Sequence, residues 1–420
     1  MGAGEGVTRE VVEAVWRIES PRLMGALARL VRDLALAEDL AQEALVAALE
    51  RWPEEGIPRR PGAWLLSVAR NRGLDQLRRG RRAGRPHEEL AAGEGAAVVP
   101  APEAALDDDV GDDLLRLVLV ACHPVLSTDA RVALTLRLVC GLGTDEIARA
   151  FLVPEATVAQ RIVRAKRTLA EARVPFEVPR GPALTVRLAS VLEVVYLVFN
   201  EGYAATRGER WMRPELCEDA LRLGRVLAAL VPDEAEVHGL VALMELHASR
   251  ARARAGPAGE PVLLADQDRS RWDALLVHRG LAALARAEAL ARPLGPYALQ
   301  AGIAACHARA RSVDETDWPR IVALYDALVE LTGSPVVELN RAVAVAMAFG
   351  PAAGLALVDA LVEDPALRAY HLLPSVRADL LERLGRGGEA RAELERAALL
   401  ARNGRERELL LARARRLGAG

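Results

Sequence analysis

Lysine is almost missing from this sequence: Lys166 is the only one, and arginine supplies nearly all the positive charge. Aromatic residues make up 4% of the 420 positions, while alanine, leucine, arginine and glutamate dominate. Straight-chain side chains lose little rotamer freedom in a helix, so this mixture excludes a strand-rich fold and predicts an all-α chain. Excess charge is lacking too. A formal net charge of −3 rules out bulk electrostatic attraction to nucleic acid, leaving local charge patterning as the only such signal. The four cysteines, Cys122, Cys140, Cys217 and Cys306, are dispersed and form no C-x-x-C pair, which excludes a disulfide framework and suits a reducing cytosol. No window approaches the roughly 20 uninterrupted apolar residues of a membrane span, and Met1 to Arg17 holds no apolar run like that of a signal peptide. The expectation is a cytoplasmic protein without membrane contact, long enough for two to four domains that each bury a core.

What is present is organised unevenly. Between Arg59 and Arg85 there are nine arginines against one acid, Asp75, whereas His87 to Asp113 holds nine acids and neither arginine nor lysine. Upstream, apolar residues recur at helical spacing through Leu23, Leu27, Leu30 and Leu34, then Leu40, Ala44, Leu45 and Leu49. The stretch Trp52 to Pro58 breaks that pattern, and helix resumes from Ala63 toward Arg79. The Ala/Gly/Pro/acid segment from Pro86 to Asp109 cannot bury enough apolar surface to fold alone and reads as a linker.

A second unit, from about Leu114 to Glu171, carries the clearest local motif. Gly141-Leu142-Gly143 breaks the chain, Thr144 stands as an N-cap followed by Asp145 and Glu146, and a short amphipathic helix runs to Phe151. Leu152 and Val153 turn, and Pro154 sits where a helix can begin because its missing N–H is not needed in a first turn. This is helix-turn-helix spacing. On the second helix Thr157, Gln160, Arg161, Arg164 and Arg167 share a broad face, while Val158, Ile162 and Leu169 point inward. A helix of this kind can enter the major groove, where Gln and Arg reach base edges and further arginines hold phosphates.

The run Ala37-Glu38-Asp39-Leu40-Ala41-Gln42-Glu43-Ala44, then Trp64-Leu65, Ala69-Arg70-Asn71-Arg72 and Asp75-Gln76-Leu77-Arg78-Arg79, resembles region 2 of extracytoplasmic-function sigma factors, and the helix-turn-helix resembles their region 4. The resemblance implies two small helical sigma domains, with region 2 over 1–85, an acidic linker over 86–113 and region 4 over 114–174. It implies that Asp39, Gln42 and Glu43 dock on the β′ clamp helices of core RNA polymerase and that region 4 meets the β flap. Asn71 with the Trp52–Pro61 loop would hold a base flipped from the promoter −10 element, and Arg70, Arg72, Arg78 and Arg79 would hold its backbone. Thr157, Gln160, Arg161, Arg164 and Arg167 would read the −35 element. The loop before Trp64 is proline- and arginine-rich and lacks the aromatic residue that many relatives place there, which leaves the −10 base preference open.

Residues 175–420 form a third, larger helical region behind Pro175, Pro179 and Pro182. Ala298–Ala308, Glu338–Ala348 and Ser375–Gly385 look alike, offset by 40 and then 37 residues, each a small-residue helix followed by a second helix. Such periods mark a helical solenoid. Together with Cys122-His123-Pro124, Phe199-Asn200-Glu201-Gly202-Tyr203, Gln267 to Asp273 and Leu339 to Ala344, the region resembles the sigma factors that carry a C-terminal tetratricopeptide-like extension. No phosphate loop, nucleophile elbow or zinc spacing occurs, so no catalytic residue, metal or cofactor is expected. The polar residues Asn200, Glu201 and Asp266 to Asp273 read as Asp–Arg pairs that tie solenoid helices together. The extension would bind a protein or small-molecule partner. The competing reading is a helix-turn-helix regulator whose solenoid senses a ligand and which never enters polymerase.

Overall fold

The computed structural model describes residues 2–82, 105–206, 208, 210–257 and 260–418, with side chains described from residue 11 to 73 and from 111 onward. Among the described residues there are eighteen α-helices and no β-strand, only two isolated bridges, as the composition predicts. The chain divides into two units, 1–195 and 196–420, so the division falls inside a helix rather than at the proline-marked boundary.

In the first unit α1 (Gly2–Val31), α2 (Leu34–Glu55) and α3 (Pro61–Arg82) pack on one another. Arg32 takes a left-handed φ of 53°, and the Asp33 carboxylate accepts from the backbone N–H groups of Ala35 and Leu36 at 2.7 and 3.1 Å. Two of the orphan donors of the α2 N-terminus are thereby satisfied. Leu23, Leu27, Leu40, Ala44 and Leu65 are buried, each large one contributing about 1.5–3 kcal/mol of apolar transfer, while Leu30 and Leu49 sit at the rim. Helix α2 runs past the expected break. Trp52 is buried edge-on against Trp64, with ring centroids 5.5 Å apart, so packing holds the last turn despite Pro53 and the helix ends at Gly56, φ 82°. Trp64 is a packing residue of this corner.

The segment read as linker divides. Residues 83–104 lie outside the described residues, but 105–113 form the first half of α4 (Ala105–Ala121), which packs along α1. Asp113 explains this: it is 2% exposed and holds Arg29 of α1 at 2.9 Å and Arg116 at 2.7 Å. Gly25 permits the approach, since a Cβ there would come within 2.9 Å of the Asp113 carbonyl. Then follow α5 (Thr128–Leu138), α6 (Thr144–Phe151), α7 (Glu155–Glu171) and α8 (Pro182–Tyr203). Helix α8 is long and apolar enough to cross a bilayer by length and composition, yet it carries Arg187 and Glu193 and serves as a packed helix. Ser190 of α8 donates to the Cys122 carbonyl at 2.6 Å, and Arg131 of α5 donates to Ser190 and Glu193 at 2.6 and 2.9 Å.

The second unit continues with α9 (Pro214–Leu230), α10 (Ala235–Ala248), α11 (Ala274–Leu290), α12 (Pro296–Arg309), α13 (Trp318–Thr332), α14 (Pro335–Phe349), α15 (Pro351–Leu361), α16 (Leu372–Arg383), α17 (Gly387–Leu400) and α18 (Gly404–Gly418). The three similar segments fall on α12, α14 and α16, and from α12 onward each helix packs on the next, the arrangement of a solenoid. Small residues make the approach possible: a Cβ on Gly354 would stand 2.4 Å from that of Ala346. Charged ties join the repeats at half-exposed sites, as where Arg377 of α16 reaches Asp359 of α15 and Glu393 of α17, both at 2.8 Å. The last hairpin also meets the start of the unit, because the Asn403 amide donates to the Ala205 and Arg210 carbonyls at 3.0 Å each.

Candidate functional site

The helix-turn-helix is α6 and α7 with α5 behind them. Gly143, not Thr144, occupies the N-cap of α6, and its N–H is taken by the Glu146 carboxylate at 2.7 Å, so the first turn is closed from within. Leu152 turns the chain in the left-handed region, φ 51°, and Pro154 is the N-cap of α7. Val158, Ile162, Ala165 and Leu169 are buried beneath α7. Its outer stripe consists of Gln160, Arg164 and Arg167 together with Val163, which is 65% exposed and which sequence reasoning passed over. Its signal was its place between Gln160 and Arg167 at helical spacing.

The five proposed groove residues divide by what holds them. Thr157 is half-buried and Gln160 exposed. Arg161 is half-buried and reaches Asp129 of α5 at 3.0 Å, a tie across the motif. Arg167 pairs with Glu171 at 2.6 Å one turn on, whereas Arg164 has no carboxylate partner among the described residues. The guanidinium most available to a ligand is therefore that of Arg164.

On α2, Asp39 is exposed and Gln42 half-buried. Glu43 is engaged by Arg72 of α3, which donates to both its carboxylate and its carbonyl at 3.1 Å. The structure thus joins one residue of the expected docking set to one of the expected −10 set. Arg70 is half-buried and Asn71 exposed on the same helix, while the side chains of Arg78 and Arg79 lie outside the described residues.

Glu38, beside these, was not singled out. It is 8% exposed, accepts from Arg137 of α5 at 2.7 Å and lies against the ammonium of Lys166 on α7. Burial pushes its carboxyl up, but Lys166 and Arg137 together outweigh that and hold it below the usual carboxylate range. With Arg17–Glu146 at 2.8 Å and Arg29–Asp113, this pairing fastens α1 and α2 to α4 through α7.

In the second unit the Asp–Arg ties expected among Asn200, Glu201 and Asp266 to Asp273 are not formed within that set. Glu201 is buried in a pair with Arg213. Asp268 and Asp273 instead cap helical turns, and Arg269 donates to the carbonyls of His307 and Ala310 at 2.8 Å. Among the described residues no group of three or more His, Cys, Asp or Glu side chains converges on a metal-sized site.

Residues 16–83 match sigma-70 region 2, residues 116–169 match sigma-70 region 4, and residues 187–288 match a family of unknown function, DUF6596. An uncharacterised protein of Rhizobium meliloti is 47% identical over 392 residues, 92% of this chain and 91% of its own length. The ECF RNA polymerase sigma factor SigL of Mycobacterium tuberculosis is 32% identical over 142 residues, covering 34% of this chain and 76% of that protein. The RNA polymerase sigma factor CarQ of Myxococcus xanthus is 33% identical over 139 residues, 33% of this chain and 75% of that protein. No solved structure matches the chain.

Proposed function

This chain belongs to the extracytoplasmic-function RNA polymerase sigma factors, non-enzymatic factors for transcription initiation, and from that premise we propose how its parts divide the work. Region 2, residues 1–85, docks on the β′ clamp helices through Asp39 and its neighbours Gln42 and Glu43, and takes the −10 element with Asn71 and the arginines of α3. Region 4, residues 114–174, lies at the β flap and reads the −35 element through α7, in the cytoplasm where core polymerase resides. Residues 175–420 regulate, through a protein or small-molecule partner of the solenoid.

The observation that carries this reading is the exposed stripe of Gln160, Val163, Arg164 and Arg167 on α7, a set with base-edge donors, an apolar contact and phosphate-binding charge in one row. A ligand-sensing regulator outside polymerase is not favoured, because two sigma regions stand in order in one chain. The test is whether the purified chain co-elutes with core RNA polymerase and directs transcription from promoter DNA. A chain that binds DNA but never polymerase would sink the proposal.

A further inference from the structure

Three arginines of the second unit, Arg250, Arg254 and Arg269, stand apart from the rest of its ion pairs. Arg213, Arg225, Arg341, Arg377 and Arg413 each meet a carboxylate within 3.2 Å. Among the described residues these three meet none, although Arg254 is 8% exposed and the other two are half-buried. Their partners are neutral: Arg250 donates to the Tyr203 hydroxyl at 2.7 Å, Arg254 to the Tyr203 carbonyl, and Arg269 to two carbonyls and to Thr316.

Shared rings draw the three together. Arg254 stacks 3.5 Å from the centre of the Tyr203 ring, which also lies 5.8 Å from Arg250, and Arg250 and Arg269 both face Trp272 at 5.7 and 5.3 Å. Buried donors around them are unspent. The Arg250 Nε, the indole N–H of Trp272 and that of Trp211 have no hydrogen-bond partner. Trp272 is itself 9% exposed, so water does not readily serve that group. The same positive field, after burial itself, holds the neighbouring His307 neutral, its pKa lowered to about 4. Like charges gathered with no carboxylate in direct contact are unfavourable, and unmet buried donors add to the penalty.

We propose that Arg250, Arg254 and Arg269 with Trp272 form a binding site for a small ligand bearing an oxyanion, phosphate or carboxylate. An oxyanion would neutralise the cluster and accept from the unmet N–H groups, in the planar geometry that guanidinium favours. The site lies largely within the segment of unknown function and goes beyond promoter recognition.

The experiment titrates the full chain with sodium phosphate and, separately, sodium acetate, each against sodium chloride at equal ionic strength, reading the melting temperature. One of the two anions should raise it where chloride does not, and which one does identifies the group. In Arg250→Gln the concentration needed should rise at least about tenfold, while Arg341→Gln should respond as the parent does. Should Arg250→Gln not fold, the indole N–H resonance of Trp272, assigned with Trp272→Phe, should still shift in the parent chain on titration. Stabilisation no greater than chloride gives, an unaltered response in a folded Arg250→Gln, or an unmoved Trp272 resonance would each overturn the proposal.

Discussion

Arg72 grips Glu43 twice, at the carboxylate and at the backbone carbonyl, both at 3.1 Å, so a residue expected to touch DNA is bound to one expected to touch polymerase. Both side chains are about two-fifths exposed, which limits the pair to under about 1 kcal/mol of stability. Asp39 stands apart from that pair, exposed one turn earlier on α2.

Asp39→Arg should therefore abolish co-elution with core polymerase while shifting the melting temperature little, since an exposed surface change costs under about 0.5 kcal/mol. Glu43→Arg should weaken polymerase binding and also release Arg72 from α2, raising non-specific DNA binding at low salt. Full polymerase binding by both variants would remove α2 from the docking surface.

Arg164→Ala should weaken binding to promoter DNA more than Arg161→Ala, because Arg161 is already committed to Asp129. A base contact by Arg164 predicts a sequence-dependent loss of about 1–3 kcal/mol, and a phosphate contact a salt slope lower by about one unit. Fluorescence anisotropy across a salt series separates the two. Equal losses at both positions would contradict the division.

The depressed pKa of Glu38 makes its pairing acid-labile. A carboxylate whose folded pKa lies below its unfolded one contributes stability that is present above the unfolded value of about 4.3 and is lost as pH falls through the folded value. Glu38→Gln should lower stability at pH 7, by up to about 3–5 kcal/mol if Lys166 and Arg137 are left buried and unpaired, and should flatten the acid limb of the stability curve. Thermal unfolding between pH 7 and pH 3 checks both.

Gly25→Ala should separate α1 from α4, since its methyl would sit 2.9 Å from the Asp113 backbone. A loss of about 1–3 kcal/mol is expected in chemical denaturation, as for overpacking in a tight core.

Truncation after Arg173 would remove Ser190 and Glu193 from Arg131 and Cys122, so a chain ending there should be less stable than its helix count implies. In reconstituted transcription, activity lost with the fold retained supports a contact required from 175–420, and activity gained supports autoinhibition. An unaltered initiation rate with no response to cell extract counts against regulation by that region.

Much of this was legible in the primary structure because it is local. Periodicity, the Gly143 to Pro154 spacing and the repeat of small-residue helices depend on neighbours a few residues apart, and those helices form, although α2 runs past its expected break and Gly143 rather than Thr144 caps α6. What was hidden depends on partners remote in sequence. Glu38 looks like any acid on an amphipathic helix until Lys166 and Arg137 arrive from two others, and the acidic residues 105–113 become helical because Asp113 meets Arg29 on α1. Arg161 could not be told from Arg164 without Asp129. Arg269 read as half of an Asp–Arg tie because acids flank it in sequence, whereas those acids turned to cap backbone N–H groups.

The scarcity of lysine gives the Glu38 pairing one more property. Apart from a chain terminus, Lys166 carries the only primary amine of the protein, and its side chain is 15% exposed against the Glu38 carboxylate. Acylating reagents thus meet a single internal target whose nucleophile is shielded while α7 lies on α2. The rate at which that amine is labelled is a clock for how often regions 2 and 4 part, readable by mass spectrometry without adding any probe to the chain.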